Sequence, residues 1–525
     1  MRLFENQFER KSNKKFNINN IVNRSSAIFP FIITRQIKPK IFFLGYWLIK
    51  RNIKDIKIFY TLRDNLGKKI TTSFIVVNQV KAYEINITKL LKFNLKKDFI
   101  GSIELEIFSK NNLVFPYPAI VINFDCKNVS SFVHTCGRVY NDRKDKLANN
   151  KYSVSETGFD IIKNKNYEPF FSFVNGPKLL KKPTIQVSLI NSNGERKIKK
   201  IIFDKLRPYE TKFVFFLKSH DKHFFGDRNG TVKIKHCFKD FFPRFLAGNI
   251  DLSKSNSTLT HTYYDLSGKL NYKKQLTKNP DINKFYNSST AVPLMNEKNI
   301  DTELVVYPNF SNVELNFHFI LYNDKGYKCG VCKNILEVKK DFNTPQYLNL
   351  NNIIRENRIK LKKKKNYFCK IFTTSKKNQI LNRLKLGLNL GIVGHKEKLP
   401  SNICFNMNFP VSNEQLKKGT FKWGLLNNKN NSYIMISNIS YLKRNYKEAN
   451  IILKFWRCSD NKFLQRKIKI PHNGNFFFQL NKNISIKKFL NKKSGWITIN
   501  SDSPFVNGWY CDISKTGNVG ADHLF

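Results

Sequence analysis

The chain repeats itself at a spacing too long for a solenoid and right for a folded unit. The stretch FPYPAIVINFDCKNVSSFVHT ends at His134-Thr135, and FPRFLAGNIDLSKSNSTLTHT ends at His261-Thr262. In each, a proline precedes the histidine by 18 residues, Pro116 before His134 and Pro243 before His261, and the copies lie 127 residues apart. Short repeat units recur every ~20–50 residues, so self-similarity at this distance means that a whole domain is repeated.

A second marker lies upstream: a strand, a tight polar turn and another strand. It occurs as IKIFYTLRDNLGKKITTSFIVV with Gly67 in the turn, IQVSLINSNGERKIKKIIF with Gly194, LNFHFILYNDKGYKCGVCKNI with Gly326, and ANIILKFWRCSDNKFLQRKIKI with Asp460-Asn461. Asn, Asp and Gly tolerate the left-handed backbone that hairpin turns need, so all four read as β-hairpins. Each is followed by a further strand (AYEINITKLL, ETKFVFFLK, TPQYLNLNNI, GNFFFQLNK) and preceded by one, such as EPFFSFVN or YIMISNIS.

Six or seven short strands per repeat, with few helical periods, predict an all-β protein of four tandem antiparallel β-sandwich modules. The expected modules are 25–150, 151–280, 281–410 and 411–525, behind a basic tail at 1–24. Polar, Asn/Lys/Ser-rich stretches near 141–165, 267–290 and 411–418 read as linkers. The fourth copy, with YIMISN before its hairpin and SGWITINSDSPFV after it, resembles the β-sandwich of the bacterial sensory-rhodopsin-transducer family. The resemblance rests on strand order over about a hundred residues per copy. It implies a sandwich that binds a small ligand, such as a sugar, or a partner. That family usually carries one module, and this chain carries four diverged ones.

The formal net charge is +54. Only 18 of the 92 basic residues are arginine, and the other 74 are lysine. Nucleic-acid sites favour arginine where planar, bidentate contact matters. The balance therefore reads first as solvated surface with salt-sensitive adhesion to polyanions, and only second as a nucleic-acid groove. Nine cysteines, an odd number without a regular spacing, predict buried thiols in a reducing compartment. No secretory signal is visible, and no run approaches the roughly twenty apolar residues of a membrane span. The expectation is a soluble, cytoplasmic protein; no oligomeric state follows from the sequence.

The recurring histidine is the sharpest candidate for chemistry. His523 follows Pro504 by 19 residues and so falls in nearly the same slot as His134 and His261. In the third copy the count puts Cys404 there. Tyr263 and Asp265 follow His261, and Asp522 precedes His523. Imidazole beside carboxylate and aromatic rings could hold a sugar, an anion or a metal. A strand histidine hydrogen-bonded within its own sandwich is the plainer expectation. Equivalent slots in separate sandwiches would lie apart and make separate sites. Trp509, with Trp496 and Tyr510, offers a stacking surface for sugar, or else fills a core.

Cys329-Gly330-Val331-Cys332 falls in a predicted strand, where the two thiols would face opposite ways and form no metal or redox pair. The run Lys362–Lys365 reads as a solvated loop. No nucleophile elbow, P-loop, dinucleotide fingerprint or HExxH helix is present.

The sequence therefore predicts a non-enzymatic multi-module binding protein, with no catalytic residue, metal or cofactor. The leading ligand is glycan, through His134, His261, Tyr263, Asp265, Trp509, Asp522 and His523, and a protein partner is the variant reading. An enzyme of glycan or surface-polymer metabolism is the first alternative. Charge-driven binding of polyanion or nucleic acid is the second.

Overall fold

A computed structural model describes residues 21–525 apart from 92–96, 135–136, 144, 147–155, 163–165, 226–228, 239, 265–275, 279–280, 296–299, 309–313, 340–341, 363–364, 377, 382–383, 392–397, 409–417 and 444–446. Most of the basic tail, most of the three expected linkers and the middle of the lysine run fall outside the described residues.

Among the described residues, thirty-two principal strands fall into four sets of eight. The first set is β1 (Arg24–Ile33), β2 (Lys38–Leu44), β3 (Ile56–Asp64), β4 (Lys69–Val77), β5 (Ala82–Asn86), β6 (Phe99–Phe108), β7 (Ile120–Asp125) and β8 (Ser130–His134). The second is β9 (Glu156–Ile161), β10 (Tyr167–Val174), β11 (Thr184–Ile190), β12 (Arg196–Ile202), β13 (Thr211–Phe215), β14 (Gly230–His236), β15 (Leu246–Asp251) and β16 (Ser257–His261). The third is β17 (Ser288–Leu294), β18 (Asp301–Val306), β19 (Leu315–Asn323), β20 (Lys328–Val338), β21 (Gln346–Asn349), β22 (Tyr367–Thr374), β23 (Lys385–Gly391) and β24 (Ser401–Asn406). The fourth is β25 (Thr420–Leu426), β26 (Asn431–Asn438), β27 (Ala449–Trp456), β28 (Phe463–Ile470), β29 (Asn475–Gln479), β30 (Gly495–Ser501), β31 (Val506–Ile513) and β32 (Val519–His523).

Every set makes the same two antiparallel sheets. In the first they run β1-β6-β3-β4 and β5-β2-β7-β8, and the other sets repeat this order, shifted by eight, sixteen and twenty-four, with Tyr263–Tyr264 added as a fifth strand beside β9 in the second. The sequence had missed one strand per unit, the first. β9 lies inside the stretch read as a linker, and β1 and β17 contain Pro30 and Pro293. Proline reads as a strand breaker because it donates no ladder hydrogen bond. β1 and β17 end their sheets, with only single bridges at Ile28 and Ser289 on the open side, so the missing proline donor costs nothing there; β9, which has no proline, is flanked on that side by the short strand Tyr263–Tyr264.

The hairpin turns form for local reasons. The side chain of Asp64 accepts from the backbone N–H of Leu66 and Lys68, Asn191 from Asn193 and Glu195, and Asn323 from Lys325 and Tyr327. Gly67, Gly194 and Gly326 then take φ of 86°, 84° and 80°. These left-handed values suit glycine. The strand after each hairpin ends in a short helix. Asn86 and Asn349 cap two of these helices, accepting from the N–H of Lys89 and Asn352.

The four units close into a ring. The last strands meet in order: β8 touches β16 and β32, and β24 touches β16 and β32. On the outside, each hairpin turn seats on the start of the fifth strand of the next unit. The Asn65 carbonyl accepts from Thr211 N–H at 3.0 Å, and the Asp324 carbonyl from Asn475 N–H at 3.3 Å. Gly194 abuts Thr344, whose hydroxyl oxygen would lie 2.5 Å from a Cβ added at the glycine. The Arg457 carbonyl accepts from Ala82 N–H at 3.1 Å, which joins the fourth unit to the first. Because neighbours cover the sheets that face inward, β7, β8, β16 and β23 are buried on both faces. One hydrophobic cluster runs through units one, two and four, and another through units three and four.

Candidate functional site

The ring brings the repeated histidines together at its centre, which corrects the expectation of separate sites. Each sits at the tip of a last strand, the strand that faces the axis. His134 and His261 are buried and His523 is half-buried. The Nε2 atoms of His134 and His261 are 3.2 Å apart, and the rings of His134 and His523 lie 4.5 Å apart, centre to centre. Asp522, 3 % exposed, accepts from both the backbone N–H of His134 at 3.1 Å and its Nδ1 at 2.9 Å. One ligand-capable atom from each of His134, Asp522 and His523 lies within 4.8 Å of the others.

The other two Nδ1 atoms face backbone carbonyls, that of His261 facing Thr262 at 3.3 Å and that of His523 facing Leu524 at 3.1 Å. A carbonyl only accepts, so both nitrogens carry the proton there and both Nε2 atoms present a lone pair. Burial holds both imidazoles neutral. It takes His261 well below the ordinary histidine value, aided by the charges of His134, Arg244 and His523. It takes His523 down to about 3. For Asp522 burial acts upward, but the His134 charge and hydrogen bond, with His523, hold it below the ordinary carboxylate value. Phe525 packs on the rings of His134 and His523 at 5.2 and 6.1 Å.

The third unit's place in this arrangement belongs to Asn406, not Cys404. His261 pairs with Leu246 while Thr262 N–H reaches the carbonyl of Phe245, and His523 pairs with Trp509 while Leu524 N–H reaches Gly508. The same pattern in the third unit is Asn406 with Lys385 and Met407 N–H with Leu384. Counting residues fails there because the loop before β24 differs in length; the ladder register decides. Cys404 lies two residues earlier, buried beside the Tyr307 hydroxyl at 3.6 Å. Asn406 Oδ1 is a buried atom with no hydrogen-bond partner.

The remaining sequence candidates do not join the centre. Trp509, 2 % exposed, donates its indole N–H to the Ala291 carbonyl at 3.0 Å, a core position that offers no face to a sugar. Trp496 is fully buried. Tyr263 pairs through its backbone with Thr157, and Asp265 lies outside the described residues. Cys329 is exposed and Cys332 buried, as a strand's opposite faces require.

A second polar cluster, absent from the sequence reading, lies between units two and three. Asn389 Nδ2 donates to Asp160 Oδ2 at 2.7 Å and to Glu303 Oε1 at 3.1 Å, and Asn402 Nδ2 also reaches Asp160. Paired carboxyls are the equipment of glycoside hydrolysis, which needs a sugar between them. Here the Asn389 amide fills that space, and both acids are buried. Desolvation raises Asp160 to about 8 and Glu303 to about 7, each against the lowering hydrogen bond from Asn389. The unfolded chain releases these protons from about pH 4, while the fold retains them to pH 7 or 8. Stability contributed by this cluster therefore falls as pH rises from about 4 to 8, by roughly 1.4 kcal/mol per pH unit for each group, and then levels off. In Asp160→Asn the loss of urea midpoint between pH 5 and pH 8 should shrink clearly. A variant with the parental pH slope would show that Asp160 ionises normally in the fold.

Among the described residues no helix is long and apolar enough to cross a membrane. No family model matches the chain, and no curated protein matches it. Two solved structures of β-glucuronidase 2 from Bacteroides uniformis align with it. One, a calcium-binding mutant, does so at 8 % identity over 47 % of this chain and 28 % of that chain, with a TM-score of 0.12. The other, covalently bound to cyclophellitol-6-carboxylate aziridine, does so at 9 % identity over 49 % of this chain and 27 % of that one, with a TM-score of 0.12. The chain thus spans little more than a quarter of each, and a likeness this low carries no argument about fold or function.

Proposed function

We propose that the chain is a non-enzymatic binding protein whose four units, divided near 150, 280 and 410, present acidic polysaccharide with four equivalent edges. The observation that carries this reading is the fourth strand of each unit. β4, β12, β20 and β28 each form the outer edge of a sheet. Each exposes cations beside apolar side chains: Lys69 with Phe74 and Val76, Arg196 and Lys200 with Ile198 and Ile202, Lys328 and Lys333 with Val331, and Arg466, Lys467 and Lys469 with Phe463. Lysine on an edge strand guards against edge-to-edge aggregation, but that role gives no reason to expose Phe74, Ile198, Ile202 or Phe463. Cations with flat apolar groups suit a sugar chain bearing carboxylates. The resemblance of the repeats to a ligand-binding sandwich supports the same reading.

The test is calorimetry of the full chain with polygalacturonate, neutral dextran and a single-stranded oligonucleotide. The polygalacturonate affinity should weaken about tenfold or more as salt is raised through the physiological range. It should also fall about tenfold in a variant carrying Arg466→Glu, Lys467→Glu and Lys469→Glu. Equal binding of dextran, tighter binding of the oligonucleotide, or affinity indifferent to salt overturns the proposal.

A further inference from the structure

We propose that the centre of the ring is a transition-metal site in which the Nε2 atoms of His134, His261 and His523 bind one divalent ion of the zinc class. Three features of the geometry point there. First, all three Nδ1 atoms are held by acceptors: the Asp522 carboxylate, the Thr262 carbonyl and the Leu524 carbonyl. This outer shell of carboxylate or carbonyl on the far nitrogen is the one that orients metal-binding histidines and fixes the tautomer. Second, the Nε2 atoms of His134 and His261 lie 3.2 Å apart. Two nitrogens at about 2.0–2.1 Å on a tetrahedral ion are separated by about 3.3 Å. Third, the His523 ring stands over that of His134, 4.5 Å away centre to centre, and one of its ring nitrogens lies within 4.8 Å of a ring nitrogen of His134.

The fourth place around the axis belongs by register to Asn406, whose buried Oδ1 has no hydrogen-bond partner. That amide oxygen, or a water held by it, completes four-coordination. Neutral imidazoles suit zinc, copper and nickel rather than magnesium or calcium, which prefer oxygen ligands. The ligands come from three different units, so the ion would bind only the closed ring.

Without an ion, the short contact between two Nε2 atoms needs a proton on one of them. The proton would then bridge the two rings. The two states differ in metal content and can be told apart. Full-length protein, stripped with chelator and checked for its fold by circular dichroism, is titrated with Zn²⁺ by calorimetry and with Co²⁺ by visible absorption. The expected result is one equivalent per chain, a cobalt spectrum of the intense four-coordinate type, and a thermal midpoint raised by zinc. His261→Ala and His523→Ala should lose all three responses. His223→Ala, an exposed histidine on the short helix Ser219–Phe224, should keep them.

If the ligand variants fail to fold, the test rests on Asp522→Asn, which keeps an acceptor but weakens the outer shell. Its zinc affinity should fall about 10–100-fold. A folded parent that binds no stoichiometric zinc overturns the proposal and leaves the proton-bridged contact. So does binding undiminished in a folded His261→Ala or in Asp522→Asn. None of these outcomes bears on polysaccharide binding at the outer edges.

Discussion

Replacing Asp522 by alanine should destabilise the protein by about 3–5 kcal/mol, the loss expected when the one carboxylate that accepts from two buried donors is removed. The carboxylate serves the backbone N–H and the Nδ1 of His134 at once, across the junction of the fourth and first units. Its loss leaves two buried donors without an acceptor, and no other described side chain is placed to supply one. A fall of roughly 3–5 °C in thermal midpoint is the corresponding readout. Asp522→Asn keeps an oxygen and should lose less than half as much. Alanine and asparagine variants that melt together with the parent would show that this junction is solvated and the contact dispensable.

Gly520→Val should have an effect of similar size for a different reason. In β32 the backbone of Gly520 lies against that of β8, and a Cβ there would collide with the Ser130 carbonyl and the Cα of Ser131. Backbone cannot rotate out of the way as a flexible side chain can, so the two strands must part. Parting them undoes the Phe132–Tyr510 stack at 4.8 Å and strains the Tyr46–Trp423 stack at 4.9 Å. A loss of about 3 kcal/mol or more is expected. Hydrogen exchange should rise first in β8 and β32 and only later in β16 and β24. Uniform exchange with unchanged stability would mean that the two strands have room between them.

What could be read from the sequence was what depends on near neighbours along the chain. The hairpins were legible because an Asx side chain, two backbone N–H groups and a glycine within four residues make the turn. The repeat was legible because those turns and the proline-to-histidine stretches recur in phase. The first strand of each unit was not, since Pro30 and Pro293 argue against a strand until the edge position is known. The extended strands AYEINITKLL and TPQYLNLNNI were read too long, because Asn86 and Asn349 start helices instead of continuing them.

The meeting of His134, His261 and His523 could not be read, because nothing in any one repeat says that four of them close on an axis. One hint was present. The last strands are apolar or small on both faces, as VSSFVHT and NSTLTHT show, which fits a strand covered on both sides better than a one-sided edge. The pair of Asp160 and Glu303 carried no signal, being distant in sequence and joined only through Asn389.

Closure also changes how the molecule comes apart. In an open row of repeats the outer ones have a single neighbour, fray first and limit the stability of the rest. Here every unit is gripped on two sides, by the strand contacts at the axis and by a hairpin seated on the next unit. Opening one junction leaves a unit still tethered by the other, at an effective concentration that favours its return. The four sandwiches should therefore melt in one cooperative step, and breaking a single junction should turn that step into several.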